Sequence, residues 1–501
     1  MQNYISIVKS LDYRDVNGLV METKYESASD RRPINSKTLS CLINELQACI
    51  NTRVEKIYQS GKSTLCFLLR SKDFRGKLIL SASGQTGRIC LTEAPPEFPD
   101  KPPMFCMLMR KYLVGARISS IEQRGSEMIA VVTLDGTTEL GESTTYTLVM
   151  ELFAGGNIIV LDAFGKIIEC SSRKGPDKDR VILPGIEYTF PPSKQFAEMP
   201  EQPLPEGFDT YNSWVDKTLG EVEKASAFKS LYSELSRLLS NLSGRIRKKI
   251  EVRLEELVSS ENREQYKEIG DLITANIHNI PPKAGRIVVR DFYTDEERVI
   301  ELDKSLTPSG NAQKYYKKYK KLVSAQNVLV GLIEEAKAEA EYIETVSDAL
   351  TRATAVAELS EIKAELVESG YIRKSRASGK KQKALAVLSF ISPDGLAVLC
   401  GRNNVQNDRL TFKTAKNRDI WCHVKDYPGS HVIIVCENGE LPPMSTIEYA
   451  CGVAAGHSKA KDGDNVAVDW TYAKYVKKPA GAKPGFVIYT NQKTVKVSPI
   501  V

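Results

Sequence analysis

No two of the ten cysteines form a C-x-x-C pair, and none falls at a short, regular spacing. That argues against a zinc site or a disulfide framework. Cys66, Cys90, Cys106 and Cys436 lie in apolar surroundings and read as reduced, buried thiols of a cytosolic protein. No apolar run approaches the roughly 18 residues that cross a bilayer, so no membrane is expected as a partner. The opening M-Q-N-Y-I-S-I-V-K-S-L-D lacks the charged-then-apolar build of a signal peptide, and a cytoplasmic chain is expected. Histidine occurs only four times, and no paired-carboxylate constellation stands out. The expectation is a protein that is not an enzyme and carries no cofactor and no metal.

What is present is organised around Asp419–Val435, D-I-W-C-H-V-K-D-Y-P-G-S-H-V-I-I-V, which reads as two strands about a tight turn. Alternation puts Ile420, Cys422 and Val424 on one face and Trp421, His423 and Lys425 on the other. Pro428-Gly429 supplies the turn chemistry. With Asp426–Ser430 as a five-residue loop, Lys425 pairs with His431 and His423 with Ile433, which collects Trp421, His423, Lys425 and His431 on one surface. A wide aromatic beside cationic or cationisable groups suits a nucleic-acid base and its phosphate. The alternative is a structural hairpin with a half-buried Trp and hydrogen-bonded histidines. His423 and Cys422 point to opposite sides, which disfavours a metal. Ser430 and His431, adjacent on a turn, lack the alignment of a nucleophile and its base.

At 501 residues the chain requires several domains. Its charge is uneven: Tyr371–Val501 holds 20 Lys/Arg against 10 Asp/Glu, an excess of +10 where the whole chain carries +6, so residues 1–370 sum to −4. The C-terminal quarter is the expected polyanion-binding end. The predicted fold is multidomain α+β: a mixed N-terminal α+β domain, a long antiparallel coiled coil with a β-hairpin tip, and a small C-terminal α+β RNA-binding domain. Met1–Arg32 reads as a poorly ordered leader, residues 33–195 as the first domain and 196–212 as a linker. The coiled coil spans 213–372, with its tip at 263–305. Residues 373–384 form a basic linker and 385–501 the last domain. One helix runs to about Asn262 and a second from about Ser309 to Glu368. In the second, Leu322, Leu329, Ala336, Ile343 and Leu350 repeat in heptads beside Ala325, Leu332, Val346 and Ala353. Gly61-Lys62-Ser63-Thr64 ends like a nucleotide-binding loop, but it joins strand to strand and Lys56 occupies the place of its first glycine; it reads as a turn.

Taken together, several stretches resemble the NFACT family: P-P-M-F-C-M-L-M-R-K-Y-L, L-P-G-I-E-Y, G-D-L-I-T-A-N, S-G-N-A-Q-K-Y-Y-K-K-Y, G-R-N-N-V-Q-N-D, the focal hairpin, V-D-W-T and V-K-K-P-A-G-A-K-P-G-F-V-I-Y. The resemblance implies a ribosome quality-control factor. Its partners would be the large ribosomal subunit and its rRNA, peptidyl-tRNA and alanyl-tRNA, and a small RNA-binding rescue partner. The ribosome would then tail the stalled chain with alanine. The residues singled out for RNA contact are Trp421, His423, Lys425, Ser430, His431, Arg402, Lys477, Lys478 and Lys483. Two other activities belong to the alternatives, a fibronectin-binding surface adhesin and a nucleic-acid glycosylase-like enzyme. Three departures stand out. Asn35-Ser36 replaces an Asp-Gly, Ser126-Glu127 replaces an Asp-Arg pair associated with tRNA engagement, and only Phe196–Gly207 stands where a helix-hairpin-helix module is usual. Subunit binding is therefore expected to persist and alanine addition to be weak.

Overall fold

The computed structural model describes residues 34–500 except 85, 97, 100, 139, 177, 179, 193–201, 260–262, 375–383 and 437–439. The expected leader and most of the basic linker thus lie outside the described residues. Two compact units divide the chain, Met1–Lys224 and Ala225–Val501.

The first unit is built on a nine-stranded sheet in the order β4-β3-β2-β1-β5-β6-β7-β8-β9, antiparallel throughout. Its strands are β1 (Arg53–Ser60), β2 (Thr64–Arg70), β3 (Arg75–Ser81), β4 (Arg88–Leu91), β5 (Arg117–Gln123), β6 (Ile129–Thr137), β7 (Ser143–Glu151), β8 (Asn157–Leu161) and β9 (Ile167–Cys170). Helix α1 (Ser36–Glu45) is capped by the Asn35 side chain, which accepts from the Thr38 amide at 2.9 Å. It buries Leu39, Leu42 and Ile43, one stripe of a 3.6-residue period. Helix α2 (Met104–Leu113) buries Phe105, Cys106, Met109 and Leu113 in the same core. The 61–64 segment is the turn between β1 and β2, with Gly61 at φ +61°, so no helix N-terminus is there to cradle a phosphate.

Long helices form the next region: α3 (Tyr211–Ser259), α4 (Glu264–Ala275), α5 (Pro308–Arg352) and α6 (Val356–Glu368). The sequence suggested one helix from Ser309 to Glu368, whereas the structure breaks it at Ala353–Ala355. The cause is local: Glu358 Oε2 accepts from the amides of Thr354 (2.7 Å) and Ala355 (3.2 Å), which satisfies the first free donors of a new helix. Ala336, Ile343, Val346 and Leu350 are buried, and the last three join Leu235, Leu239 and Ile246 of α3 in one core. Leu322, Leu329 and Leu332 are only half-buried, and Ala325 is exposed. Lys249 pairs with Glu339 at 3.5 Å and Arg253 donates to the Leu332 carbonyl, so α3 and α5 run antiparallel. At the far end, β10 (Arg286–Arg290) pairs with β11 (Glu297–Glu301) and packs on α4 and α5 through Leu272, Ile273, Val289, Ile300 and Ala312. Asn311, from the N-A-Q-K-Y-Y stretch, holds the turn before α5: its side chain accepts from Asp303 N (2.7 Å) and donates to Asp303 O (3.0 Å).

The last domain is a six-stranded antiparallel sheet, order β12-β13-β15-β14-β16-β19. The strands are β12 (Leu388–Ile391), β13 (Ala397–Cys400), β14 (Ile420–Val424), β15 (Val432–Ile434), β16 (Val466–Tyr472) and β19 (Lys493–Val497). Helix α7 (Asn404–Arg409) precedes β14, and the short pair β17 (Val476–Lys477) and β18 (Ile488–Tyr489) lies outside the main sheet. Helix α8 (Met444–Gly456) covers the face bearing Ile420, Cys422, Val424, Val432 and Ile434. Ser445 lies in the first turn of the helix, with Pro443 at its N-cap position. Ser445 and Thr446 both donate to Asp394 Oδ2 at 2.6 Å, so a carboxylate from the β12–β13 turn sits at the positive end of α8.

Candidate nucleic-acid interface

The focal strands β14 and β15 are neighbours, but their register is Trp421↔Ile433 and Cys422↔Val432, not the expected pairing of Lys425 with His431 and His423 with Ile433. The connection therefore runs from His423 to His431. Its arms pair elsewhere: Lys425 N donates to Ala467 O (2.9 Å) and Ser430 N to His457 O (3.1 Å). A slip of two residues preserves the alternation, so Trp421, His423, His431 and Ile433 still share a face.

That face is not an open surface. Trp421 is 0 % exposed, His431 2 % and Ser430 0 %, with His423 half-buried. Leu410, Val476 and Tyr489 close over Trp421 and Ile433, the Tyr489 ring centroid lying 4.8 Å from that of Trp421. His423 stacks on Trp421 at 5.7 Å, and His431 Nδ1 meets Thr411 Oγ1 at 2.7 Å. Burial lowers the His423 imidazole to about 4 and, with His423 beside it, takes His431 well below its ordinary value. Both rings are neutral at pH 7 and exert no charge on a phosphate. The open RNA-gripping ribbon of Trp421, His423, Ser430 and His431 is thereby corrected to the structural hairpin. The physical reason is that residues far along the chain cover its polar side.

Three further residues singled out for RNA are engaged within the protein. Arg402 pairs with Glu358 and donates to Ala386 O at 3.2 Å. Lys478 pairs with Asp408 at 2.8 Å. Lys483 lies 5.1 Å over the Tyr371 ring and 5.5 Å over that of Tyr342. Lys425 and Lys477 remain exposed.

The G-R-N-N-V-Q-N segment turns out to be a docking element. Glu358, Glu361 and Glu365 lie along one face of α6, at steps of three and four. Glu358 takes Arg402. Glu361 accepts from Asn403 Nδ2 (2.7 Å), Gln406 Nε2 (2.9 Å) and Leu385 N (2.6 Å). Glu365 accepts from Asn404 Nδ2 (3.0 Å) and Tyr342 OH (2.9 Å). Gly401 is required by close packing: a Cβ there would stand 2.1 Å from Asn407 Oδ1, which itself accepts from His431 N at 3.0 Å. Lys459 adds an ion pair to Glu344 of α5 at 2.8 Å.

A basic and aromatic patch lies instead where β14 begins and β16 ends. Ala473 N donates to Asp419 O (2.8 Å) and Ile420 pairs with Tyr472, which brings the Lys413–Arg418 turn beside Tyr472–Lys477. Lys413, Lys416, Arg418, Lys474 and Lys477 are exposed, and among the described residues no carboxylate lies within ion-pair distance of any of them. Lys474 sits 5.2 and 5.0 Å over the rings of Tyr472 and Tyr475, and Phe412 is partly exposed beside Lys413. Such a surface offers point charges to phosphates and ring faces to bases. Of its residues the sequence singles out Lys477; the local signal for Lys413, Lys416 and Arg418 is the T-F-K-T-A-K-N-R run.

In the first unit the two substituted pairs, Asn35-Ser36 and Ser126-Glu127, are linked. Gln123 Nε2 donates to Ser36 O (3.0 Å) and to Glu127 O (2.9 Å), which ties the start of α1, next to Asn35, to the β5–β6 turn carrying exposed Ser126. Glu127 faces Arg124 at 3.7 Å, and that guanidinium lies 3.8 Å over the Phe190 ring. Among the described residues, no group of three or more His, Cys, Asp or Glu converges as metal ligands would. No described helix is long and apolar enough to cross a membrane.

Comparison with known proteins agrees with this layout. The family description "NFACT N-terminal and middle domains" matches residues 35–204 and 194–385, and "NFACT protein RNA binding domain" matches 386–491. "Rqc2 homolog RqcH" of Streptococcus pneumoniae serotype 2 (strain D39) is 33% identical over 537 residues, covering 91% of this chain and 96% of the relative. The protein of the same name in Bacillus subtilis (strain 168) is 31% identical over 541 residues, covering 89% and 94%. These alignments are longer than the chain, so both relatives contain residues with no counterpart here. Among solved structures, the C-terminal part of the fibronectin/fibrinogen-binding protein from Streptococcus suis is 36% identical, with a TM-score of 0.45, over 55% of this chain and 96% of that one.

Proposed function

The chain belongs to the NFACT family, the family of the Rqc2 homologues, and from that premise we propose that it binds the large ribosomal subunit through ribosomal RNA in the rescue of stalled chains. The observation that carries this reading is the exposed Lys413, Lys416, Arg418, Lys474 and Lys477 set among aromatic rings, in the domain that matches the family's RNA-binding domain. Among the described residues none of these cations is in an ion pair, which leaves their attraction for phosphate largely undiminished. The protein acts in the cytoplasm by binding, with no bond chemistry of its own.

Recruitment of alanyl-tRNA to subunits holding peptidyl-tRNA is the finer part of the proposal, and here the first unit weakens it. Glu127 places a carboxylate, paired with Arg124, where the resemblance implies a guanidinium, so the attraction that a phosphate would find there is missing. We therefore assign the chain subunit binding with weak alanine addition. Sedimentation of the full chain with purified large subunits tests the reading. Comigration at modest salt supports it, and a chain that stays at the top of the gradient defeats it.

A further inference from the structure

We propose that Glu365, with Tyr342 and Asn404, is a proton-operated latch that fixes the bearing of the C-terminal domain on helices α5 and α6 and loosens when its carboxyl ionises. The inference concerns the position of the domain and holds whatever that domain binds.

Of the three carboxylates along α6, Glu365 is the most deeply buried, and among the described residues no cation pairs with it. Glu358 has the Arg402 guanidinium, and Glu361 lies at the part-exposed edge with three donors. Glu365 is 2 % exposed and receives two neutral donors, Asn404 Nδ2 at 3.0 Å and Tyr342 OH at 2.9 Å. Asn404 in turn donates to Thr345 Oγ1 at 2.8 Å, so the contact joins α5, α6 and α7 at one point. Tyr342 OH also meets Ser369 Oγ at 2.9 Å, and that hydroxyl offers the acceptor a protonated cluster needs. An ionised carboxylate buried among neutral donors bears a desolvation cost that the neutral acid does not.

The charged and titratable neighbours reinforce that direction. On α6 itself, Glu368 opposes a second negative charge, and Glu361 and Glu358 share the helix. From α5 come Tyr342 and, through the Tyr371 phenol, Glu339. The α7 segment brings only Asn404 to Glu365; its Arg402 is occupied by Glu358. From the 483 loop, Lys483 lies over the Tyr342 and Tyr371 rings and donates to Ser369 O, so its ammonium is directed at rings and a carbonyl. Burial raises the Glu365 carboxyl from 4.5 to about 7.

The sign follows by linkage. The docked state holds the proton more tightly than the undocked one, so docking is firmest below about 4.5 and weakens as pH rises through about 7. The full swing in the docking equilibrium is on the order of 100-fold.

Hydrogen exchange of the Asn403–Asn407 amides in the full chain, corrected for intrinsic rates, reads the latch from pH 5 to 8. The expected result is protection that falls steadily as pH rises. Glu365→Gln keeps the shape and the acceptor without the charge, and should make protection flat and, at pH 8, higher than wild type. Tyr342→Phe removes one donor to the carboxylate, so it should move the fall to higher pH without abolishing it. Wild-type protection that is flat across this range overturns the proposal. So does a Glu365→Gln chain that keeps the wild-type pH dependence. RNA affinity is scored separately, so a failure of the latch is distinguishable from a failure of the RNA reading.

Discussion

Arg352, in the last turn of α5, donates from Nη1 to Ser430 Oγ at 3.0 Å, and the Ser430 hydroxyl in turn donates a hydrogen bond to the Gly401 carbonyl. The serine of the focal turn thus joins the helical region to the last domain. Arg352 Nε also pairs with the buried Asp348 at 2.9 Å. Removing the hydroxyl takes one hydrogen bond from the Arg352 guanidinium and one from the Gly401 carbonyl, so Ser430→Ala should cost about 1–3 kcal/mol. A double-mutant cycle of Ser430→Ala and Arg352→Ala, read by urea unfolding, should give a coupling of about 1 kcal/mol or more. A coupling of zero would show the contact to be incidental.

The salt dependence of RNA binding separates the basic patch from the hairpin. Lys413→Ala, Arg418→Ala and Lys474→Ala should each flatten the slope of log affinity against log salt by about 0.7–0.9 for every phosphate no longer neutralised. Trp421→Ala should leave that slope alone and lower stability by about 3–5 kcal/mol, as emptying a buried aromatic site does. An unchanged slope in the triple variant would remove the patch from the interface.

The two histidines of the Trp421 face give a pH test of the same distinction. A phosphate gripped by imidazolium would be held more tightly as pH falls through 6.5. His423, lowered to about 4, and His431, lower than its ordinary value, stay neutral over that range. RNA affinity at fixed ionic strength should therefore be flat from about pH 8 to about pH 6. For stability the sign is that of a base whose folded pKa is depressed: the contribution is complete above 6.5 and is lost as pH falls toward 4. His431→Gln should reduce the acid loss measured by thermal unfolding.

Much of the fold was legible because its signals are local. The strand alternation and the Leu39-Leu42-Ile43 stripe of α1 each depend on neighbours within a few residues, whereas the turn falls at Lys425-Asp426, with Asp426 at φ +62°, and not at the expected Pro428-Gly429. The break at Ala353–Ala355 was missed because apolar spacing continues across it and only Glu358 turning back on the amides ends the helix. The site was misjudged for the opposite reason. Alternation gave Trp421, His423 and His431 on one face correctly, without the expected pairing of Lys425 with His431, but whether that face meets solvent depends on Leu410, Val476 and Tyr489. These lie on segments whose approach no local pattern announces. Likewise Arg402 reads as an RNA contact by residue type, and only the fold reveals Glu358 opposite it, with Glu361 and Glu365 taking Asn403, Gln406 and Asn404 beside it.

The last test concerns the first unit. Gln123 binds the backbone at both Ser36 and Glu127, so the turn carrying Ser126 and Glu127 is held by main-chain contacts that a side-chain change does not remove. Ser126→Asp/Glu127→Arg is therefore expected to fold with little loss, the new guanidinium being repelled by Arg124 toward solvent, where a phosphate would lie. If charge at this turn limits tRNA engagement, the double variant should retain more alanyl-tRNA on isolated large subunits and lengthen alanine tails in a purified translation reaction. The gain should vanish at high salt, as a phosphate contact does. Equal tRNA retention by wild type and variant would instead place the limit elsewhere in the chain.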